Sequence, residues 1–219
     1  PIVFGWPGSR DVCYFSAIRS AGSARVVCDF ERVVRAIQLS GVKKMHILCH
    51  SLGAQILFNV LRRETNPFAD IELCTVVLIN PDSPLESFLA RDYEILHAQC
   101  ANITVYADHL DGALWYSEFF NRTTKGQRIK SLGRRPFDLL RSTNGAIECT
   151  PLDLDVIEVS WMDHNMHGMR HNFFDINRFV VSDLCEIFSS AKRACERTSL
   201  LHRHSNVYSF LNAPKHIVH

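Results

Sequence analysis

One serine in this chain stands where a serine can be turned into a nucleophile. Cys49-His-Ser-Leu-Gly53 follows an apolar run at residues 45–49, dense enough for a buried strand, and leads into a helical pattern at 54–63. A serine on a sharp turn between strand and helix is the outline of a nucleophile elbow, whose usual pattern is G-x-S-x-G. Cys49 replaces the first glycine, and Gly53 supplies the small residue expected where strand and helix come close. A serine hydroxyl is a poor nucleophile at neutral pH. It needs a base within hydrogen-bond reach, and the base needs a carboxylate to fix its tautomer and stabilise the imidazolium.

The residues that follow each expected strand supply the rest. They are Trp6, Ser51, Asp82, Asp108 and Asp111, then Asp163 and His171. A serine, a histidine and several aspartates on one sheet edge are the material of acyl transfer. The chain order Ser51, Asp111, His171 is the Ser–Asp–His order of α/β-hydrolases. Each residue has a plainer alternative. Ser51 and Asp111 are both suited to capping the helix that follows. Asp108 competes as the acid, and His164 and His167 compete with His171 as the base. Asp163, His164, His167 and His171 also have a spacing that metal ligands on a helix would share. Gly168 marks a loop there, however, and no H-E-x-x-H occurs, so no metal is expected. No organic cofactor is implied either.

The elements that must position these residues read as an alternation. Strands are expected at 1–6, 45–49, 71–80, 102–107 and 156–159. Helices are expected at 25–39, 54–63, from 83 to about 96, at 112–120, and within 172–194. Residues 121–155 read as a surface excursion, basic and broken by glycine and proline. Its Lys125, Arg128, Lys130, Arg134 and Arg135 read as a solvated charged face. The tail at 200–219 is rich in histidine and receives no assignment. Strand and helix in alternation predict a mostly parallel sheet with helices on both faces, in a single domain over 1–219. The functional loops of such a sheet lie at the carboxyl ends of its strands.

Composition excludes several classes. A net charge of +1 gives no electrostatic reason for nucleic acid as a partner. No apolar run approaches the ~20 residues of a membrane span. The eight cysteines form no C-x-x-C, and several sit inside apolar runs. They read as free thiols in a reducing, intracellular compartment. The sequons Asn102-Ile-Thr and Asn121-Arg-Thr point the other way, but Asn102 opens an expected core strand, where a glycan would not fit. The expected partner is a small-molecule acyl substrate.

Six stretches together resemble the α/β-hydrolase family DUF900, whose members are predicted serine esterases or lipases. They are Trp6-Pro7, the elbow at 45–53, Asn80-Pro-Asp82, Ile103-Thr-Val-Tyr-Ala107 followed by Asp111 and Ala113-Leu114, Val156-Ile157 followed by Ser160, and His171-Asn-Phe-Phe. The resemblance covers about residues 1–185. It implies Ser51 as nucleophile, Asp111 as acid and His171 as base, with the backbone N–H of Leu52 as one oxyanion donor. The family has Ala or Gly where Cys49 stands. It also carries an upstream strand whose His-Gly loop supplies the second donor, and no such loop occurs here. The chain opens at Pro1 directly on an apolar segment, so the expectation is an α/β-hydrolase domain truncated at its N-terminus. The expected function is hydrolysis of an ester or related acyl bond through a Ser-Asp-His triad. The rival, from another class, is a catalytically silent hydrolase fold serving as a binding or scaffold module.

Overall fold

Val76, Val77, Leu78 and Ile79 are all fully buried, and alternate residues join two different apolar clusters. Val76 and Leu78 pack with Leu57, Phe58 and Leu96, while Val77 and Ile79 pack with Tyr106, Phe173 and Val180. Side chains of a strand alternate between the faces of its sheet. A strand apolar at every position is therefore a strand covered on both faces.

The computed structural model describes residues 1–6, 14–100, 102–121, 126–142, 149–162 and 169–211. Helices α1 (Tyr14–Ala21) and α2 (Ala24–Leu39) precede β1 (Lys44–His50), α3 (Gly53–Leu61) and β2 (Glu72–Ile79). Next, α4 (Leu85–Ser87) runs through a π turn (Phe88–Asp92) into α5 (Tyr93–His97), and β3 (Ile103–Ala107) and α6 (Gly112–Phe120) follow. A 3-10 turn (Leu132–Arg134) leads to a small hairpin, β4 (Leu140–Ser142) and β5 (Cys149–Pro151). The chain continues with β6 (Asp155–Glu158), α7 (Arg178–Ser190), a 3-10 turn (Ala194–Glu196), β7 (Leu200–His204) and β8 (Val207–Phe210). The main sheet has six strands in the order β1-β2-β3-β6-β8-β7. All neighbours are parallel except β7 and β8. Residues of α2, α3 and α5 pack in one cluster, and those of α7 in the other. This is the mostly parallel α/β architecture with helices on both faces that the sequence pattern predicts.

Three expectations are corrected. Residues 1–6 form no strand. A strand exists by virtue of a partner for its N–H and C=O groups, and no described residue pairs with this segment. Phe4 instead packs on Phe30, with ring centroids 5.1 Å apart, and Trp6 joins a cluster with Leu52 and Ile56. The excursion at 121–155 is partly core: Leu132, Leu139, Leu152 and Leu154 are buried. Its cations are not a uniformly solvated face. Arg134 and Arg135 both pair with the buried carboxylate of Glu118, at 2.6 and 3.1 Å. Arg128 lies over the ring of Phe119, while Lys125 lies outside the described residues. The tail contains β7 and β8, which extend the sheet beyond β6.

Candidate active site

Parallel strands bring the carboxyl ends of β1, β2, β3 and β6 to one edge of the sheet. The chain turns sharply at the end of β1. Ser51 has φ 53°, in the left-handed region that non-glycine residues enter at a cost. Such strain amounts to roughly 1–3 kcal/mol and persists where surrounding bonds impose it. Here they do. The Ser51 N–H donates to the Ile79 carbonyl at 3.0 Å, and its own carbonyl accepts from Asp82 N–H at 3.1 Å and Ala54 N–H at 3.2 Å. The elbow is thus bonded to the loop after β2 and to its own helix. Leu52 caps α3, and its N–H meets no acceptor among the described residues. Cys49 fits at the upstream position as a buried small residue, and burial pushes its thiol up to about 12. Gly53 is not required by space, contrary to expectation. A Cβ there would meet Cys49 and Trp6 only at 3.9 Å, an ordinary contact.

The loop after β3 carries the carboxylates. Asp111 is fully buried, and its Oδ1 caps α6 by accepting from Leu114 N–H at 2.9 Å. Its other oxygen, Oδ2, accepts from Nδ1 of His171 at 2.7 Å and from the Asn80 amide at 2.6 Å. Asp111 therefore both caps the helix and holds the histidine. Neither Asp108, the competing acid, nor Asp82 hydrogen-bonds that ring. Asp108 pairs with Arg170 Nε at 2.9 Å, and burial still raises its pKa. Asp82 accepts from the hydroxyls of Tyr14, Ser117 and Ser131, and burial raises its pKa too. Asp163, His164 and His167 lie outside the described residues. No cluster of three or more metal-ligating side chains occurs among the described residues.

Three successive carbonyls hold the histidine loop. Met169 C=O accepts from Gly112 N–H at 2.9 Å, Arg170 C=O from the Asn80 amide at 3.4 Å, and His171 C=O from Nε2 of His50 at 3.1 Å. Arg170, at φ 57°, makes the turn that separates them from any regular ladder. The His50 ring also lies against His171 and Phe174, at centroid distances of 4.7 and 4.9 Å. The residue before Ser51 thus touches His171 directly. The Ser51 hydroxyl itself makes no hydrogen bond among the described residues. Such bonds are often long or unformed before substrate enters.

Sequence reasoning gave no role to Asn80, Gly133, Arg170 or His50. Gly133 lies so close to the turn after β2 that an added Cβ would sit 2.6 Å from the Asn80 carbonyl carbon. Its N–H donates to Pro81 C=O at 3.0 Å, and its C=O accepts from Asp108 N–H at 2.9 Å. The only signal for it was a glycine inside the excursion. A cavity of about 140 Å³ opens beside the elbow, lined in part by Gln55, Asp82, Ile129 and Ser131. A larger one, about 360 Å³, lies between α5 and the segment entering β6, at the opposite edge of the sheet. Its lining holds none of the residues gathered around Ser51.

The family model described as "Alpha/beta hydrolase of unknown function (DUF900)" matches residues 1–173. The chain belongs to this family. No curated protein and no solved structure matches this chain. The fold and membership of an α/β-hydrolase family therefore stand together, and the DUF900 match spans the carboxyl ends of β1, β2, β3 and β6. No described helix is long and apolar enough to cross a membrane.

Proposed function

We propose that this α/β hydrolase cleaves an ester or related acyl bond, with Ser51 as nucleophile, His171 as general base and Asp111 as its orienting acid. The observation that carries the reading is the 2.7 Å bond between His171 Nδ1 and Asp111 Oδ2, made at the sheet edge where Ser51 sits on a strained turn. With Asp111 accepting at Nδ1, the neutral ring presents Nε2 as a free base. Nε2 takes the Ser51 proton as Oγ attacks the acyl carbon. The same proton then passes to the leaving group. Water, deprotonated in turn by His171, releases the acyl group from Ser51 and restores the enzyme. The Leu52 N–H at the start of α3 donates to the oxyanion, where one donor contributes roughly 3–4 kcal/mol.

The test is labelling by a fluorophosphonate probe, followed by turnover of p-nitrophenyl acetate. The wild-type chain is expected to take the probe on Ser51, and Ser51→Ala and His171→Ala to lose both label and turnover. A folded wild-type protein that takes no label and turns over no ester would leave the hydrolase fold serving as a binding module.

A further inference from the structure

His50 occupies the variable position of the elbow motif, to which the proposed chemistry assigns nothing. It is the last residue of β1, so the strand that ends in Ser51 also ends in this ring. The alternation of β1 puts it on the side of His46, whose ring packs on Phe188 of α7 at 5.7 Å. This is the side from which the loop bearing His171 approaches. His50 makes three contacts there, a hydrogen bond from Nε2 to the His171 carbonyl and ring contacts with His171 and Phe174 at 4.7 and 4.9 Å. The plain reading is a core histidine that fills space, and a phenylalanine would do that equally well. The hydrogen bond is what the plain reading leaves out.

A carbonyl oxygen only accepts, so Nε2 of His50 carries a proton. The surroundings disfavour a second one, because burial and the neighbouring His171 hold the ring down to about 4. At neutral pH His50 is therefore a neutral Nε2–H tautomer. It adds no cation beside a base that must itself become cationic. Of the three clamps on the histidine loop, one comes from the start of α6 and one from the turn after β2. The His50 clamp alone comes from the strand that carries Ser51, so it fixes His171 in the same frame as the serine it would deprotonate.

We propose that His50 is a positioning residue that holds His171 in register with Ser51 through its bond to the His171 carbonyl. This rests on the hydrolase reading of Ser51 and His171. It requires a donor at position 50, and a ring of the same bulk without one does not suffice.

The experiment compares the full wild-type chain with His50→Phe and His50→Gln, each shown to be folded by circular dichroism. It measures p-nitrophenyl acetate turnover, and long-range proton–nitrogen correlation spectra give the imidazole tautomers. His50→Phe keeps the packing and loses the donor. Its kcat is expected to fall by roughly 10–100-fold with KM little changed, as for a misplaced catalytic group. His50→Gln keeps a donor within reach and recovers most of the loss. In the wild-type spectrum His50 appears as the Nε2–H tautomer. Equal kcat in His50→Phe and wild type overturns the proposal, as does His50→Gln falling as far as His50→Phe, or a wild-type His50 in the Nδ1–H form. A wild type with neither label nor turnover overturns the hydrolase reading, and the catalytic role of His50 with it. Even then the tautomer separates a clamp that is made from one that is not.

Discussion

Asn80 and His171 meet on one oxygen. The Asn80 amide and His171 Nδ1 both donate to Oδ2 of Asp111, at 2.6 and 2.7 Å. The orientation of the amide is forced, since its NH₂ faces that carboxylate and the Arg170 carbonyl, both of which only accept. Asn80 is itself held at φ 40° by the turn after β2. Asn80→Ala removes a hydrogen bond to a charged group, worth about 1.5–3 kcal/mol. Asp111 then gains freedom to turn away from the ring. The expected result is roughly a tenfold or greater loss of kcat/KM for the proposed ester hydrolysis, each 1.4 kcal/mol being a factor of ten. Asn80→Asp is expected to be worse, because it sets a second carboxylate against Asp111. Steady-state kinetics on the two variants checks the order.

Gly133 supports that turn from below, and its substitution has a clear steric consequence. An added Cβ meets the backbone of Asn80 and Pro81 at 2.6 to 2.8 Å, and backbone cannot swing aside as a side-chain end can. Gly133→Ala is expected to cost about 1–3 kcal/mol, the usual penalty of overpacking, and to displace Asn80. Gly112→Ala is the control, since its Cβ would meet Met169 at 3.4 Å, partly at the mobile end of that side chain. Urea denaturation should show the larger loss at Gly133. Equal losses at the two positions would show that the Asn80 turn yields to accommodate the methyl.

The contrast between what the sequence revealed and what it hid follows from locality. The apolar runs of β2, β3 and β6 each announce a buried strand, and Gly112–Phe120 lies where its pattern places it. β1 forms at its expected place but stands at one end of the sheet order and buries only Ile47 and Cys49, so its run is less buried than expected. Ser51, Asp111 and His171 could be singled out as candidates by residue type and chain order, and the structure joins Asp111 to His171 and sets Ser51 on a strained turn. β7 and β8 were not, because Leu-Leu-His-Arg-His alternates weakly and becomes a strand by pairing with a neighbour. The same dependence misled in the opposite direction at residues 1–6, whose apolar side chains pack while their backbone has no partner strand. Asn80 meets Asp111 and Arg170 across 31 and 90 residues of sequence, Arg170 meets Asp108 across 62, and Gly133 acts through close backbone approach to Asn80. No window along the chain contains such a relationship.

Arg170 and Asp108 form a partly buried ion pair whose removal should be asymmetric. The Asp108 side chain is fully buried and the Arg170 side chain is 18% exposed. Arg170 also donates to Ser160 C=O at 2.8 Å, so it ties the loop before His171 to the end of β6. Arg170→Leu strands a buried carboxylate and is expected to cost about 3–5 kcal/mol. Asp108→Asn removes the charge and keeps an acceptor, so its cost should be smaller. The Arg170→Leu penalty should also shrink in acid. Burial already raises the Asp108 pKa, and without the guanidinium the neutral acid becomes the stable form. Denaturation midpoints at neutral and acidic pH test both parts.

His50 should leave its own mark on stability against pH. Its ring titrates near 6.5 in the unfolded chain and is lowered to about 4 in the fold by burial and by His171. Between those values the unfolded state holds more protons. Folding stability from this group is therefore complete above about 6.5 and is lost as the pH falls toward 4, by roughly 1 kcal/mol per pH unit. The raised carboxylates of Asp82 and Asp108 act in the opposite sense, contributing stability that fades as the pH rises through their folded values. Because those carboxylates are common to both proteins, the informative quantity is wild type minus His50→Phe. The phenylalanine keeps the bulk and cannot titrate, so loss of the hydrogen bond enters as an offset independent of pH. Asp111 and Asp175, which face the ring and favour its protonation, temper the slope without reversing it. Urea denaturation of both proteins at pH 4.5, 5.5 and 7 should show wild type losing ground steadily as the pH falls. Parallel profiles would mean that the His50 ring is protonated as readily in the fold as in water, and the neutral clamp on His171 would then have no basis.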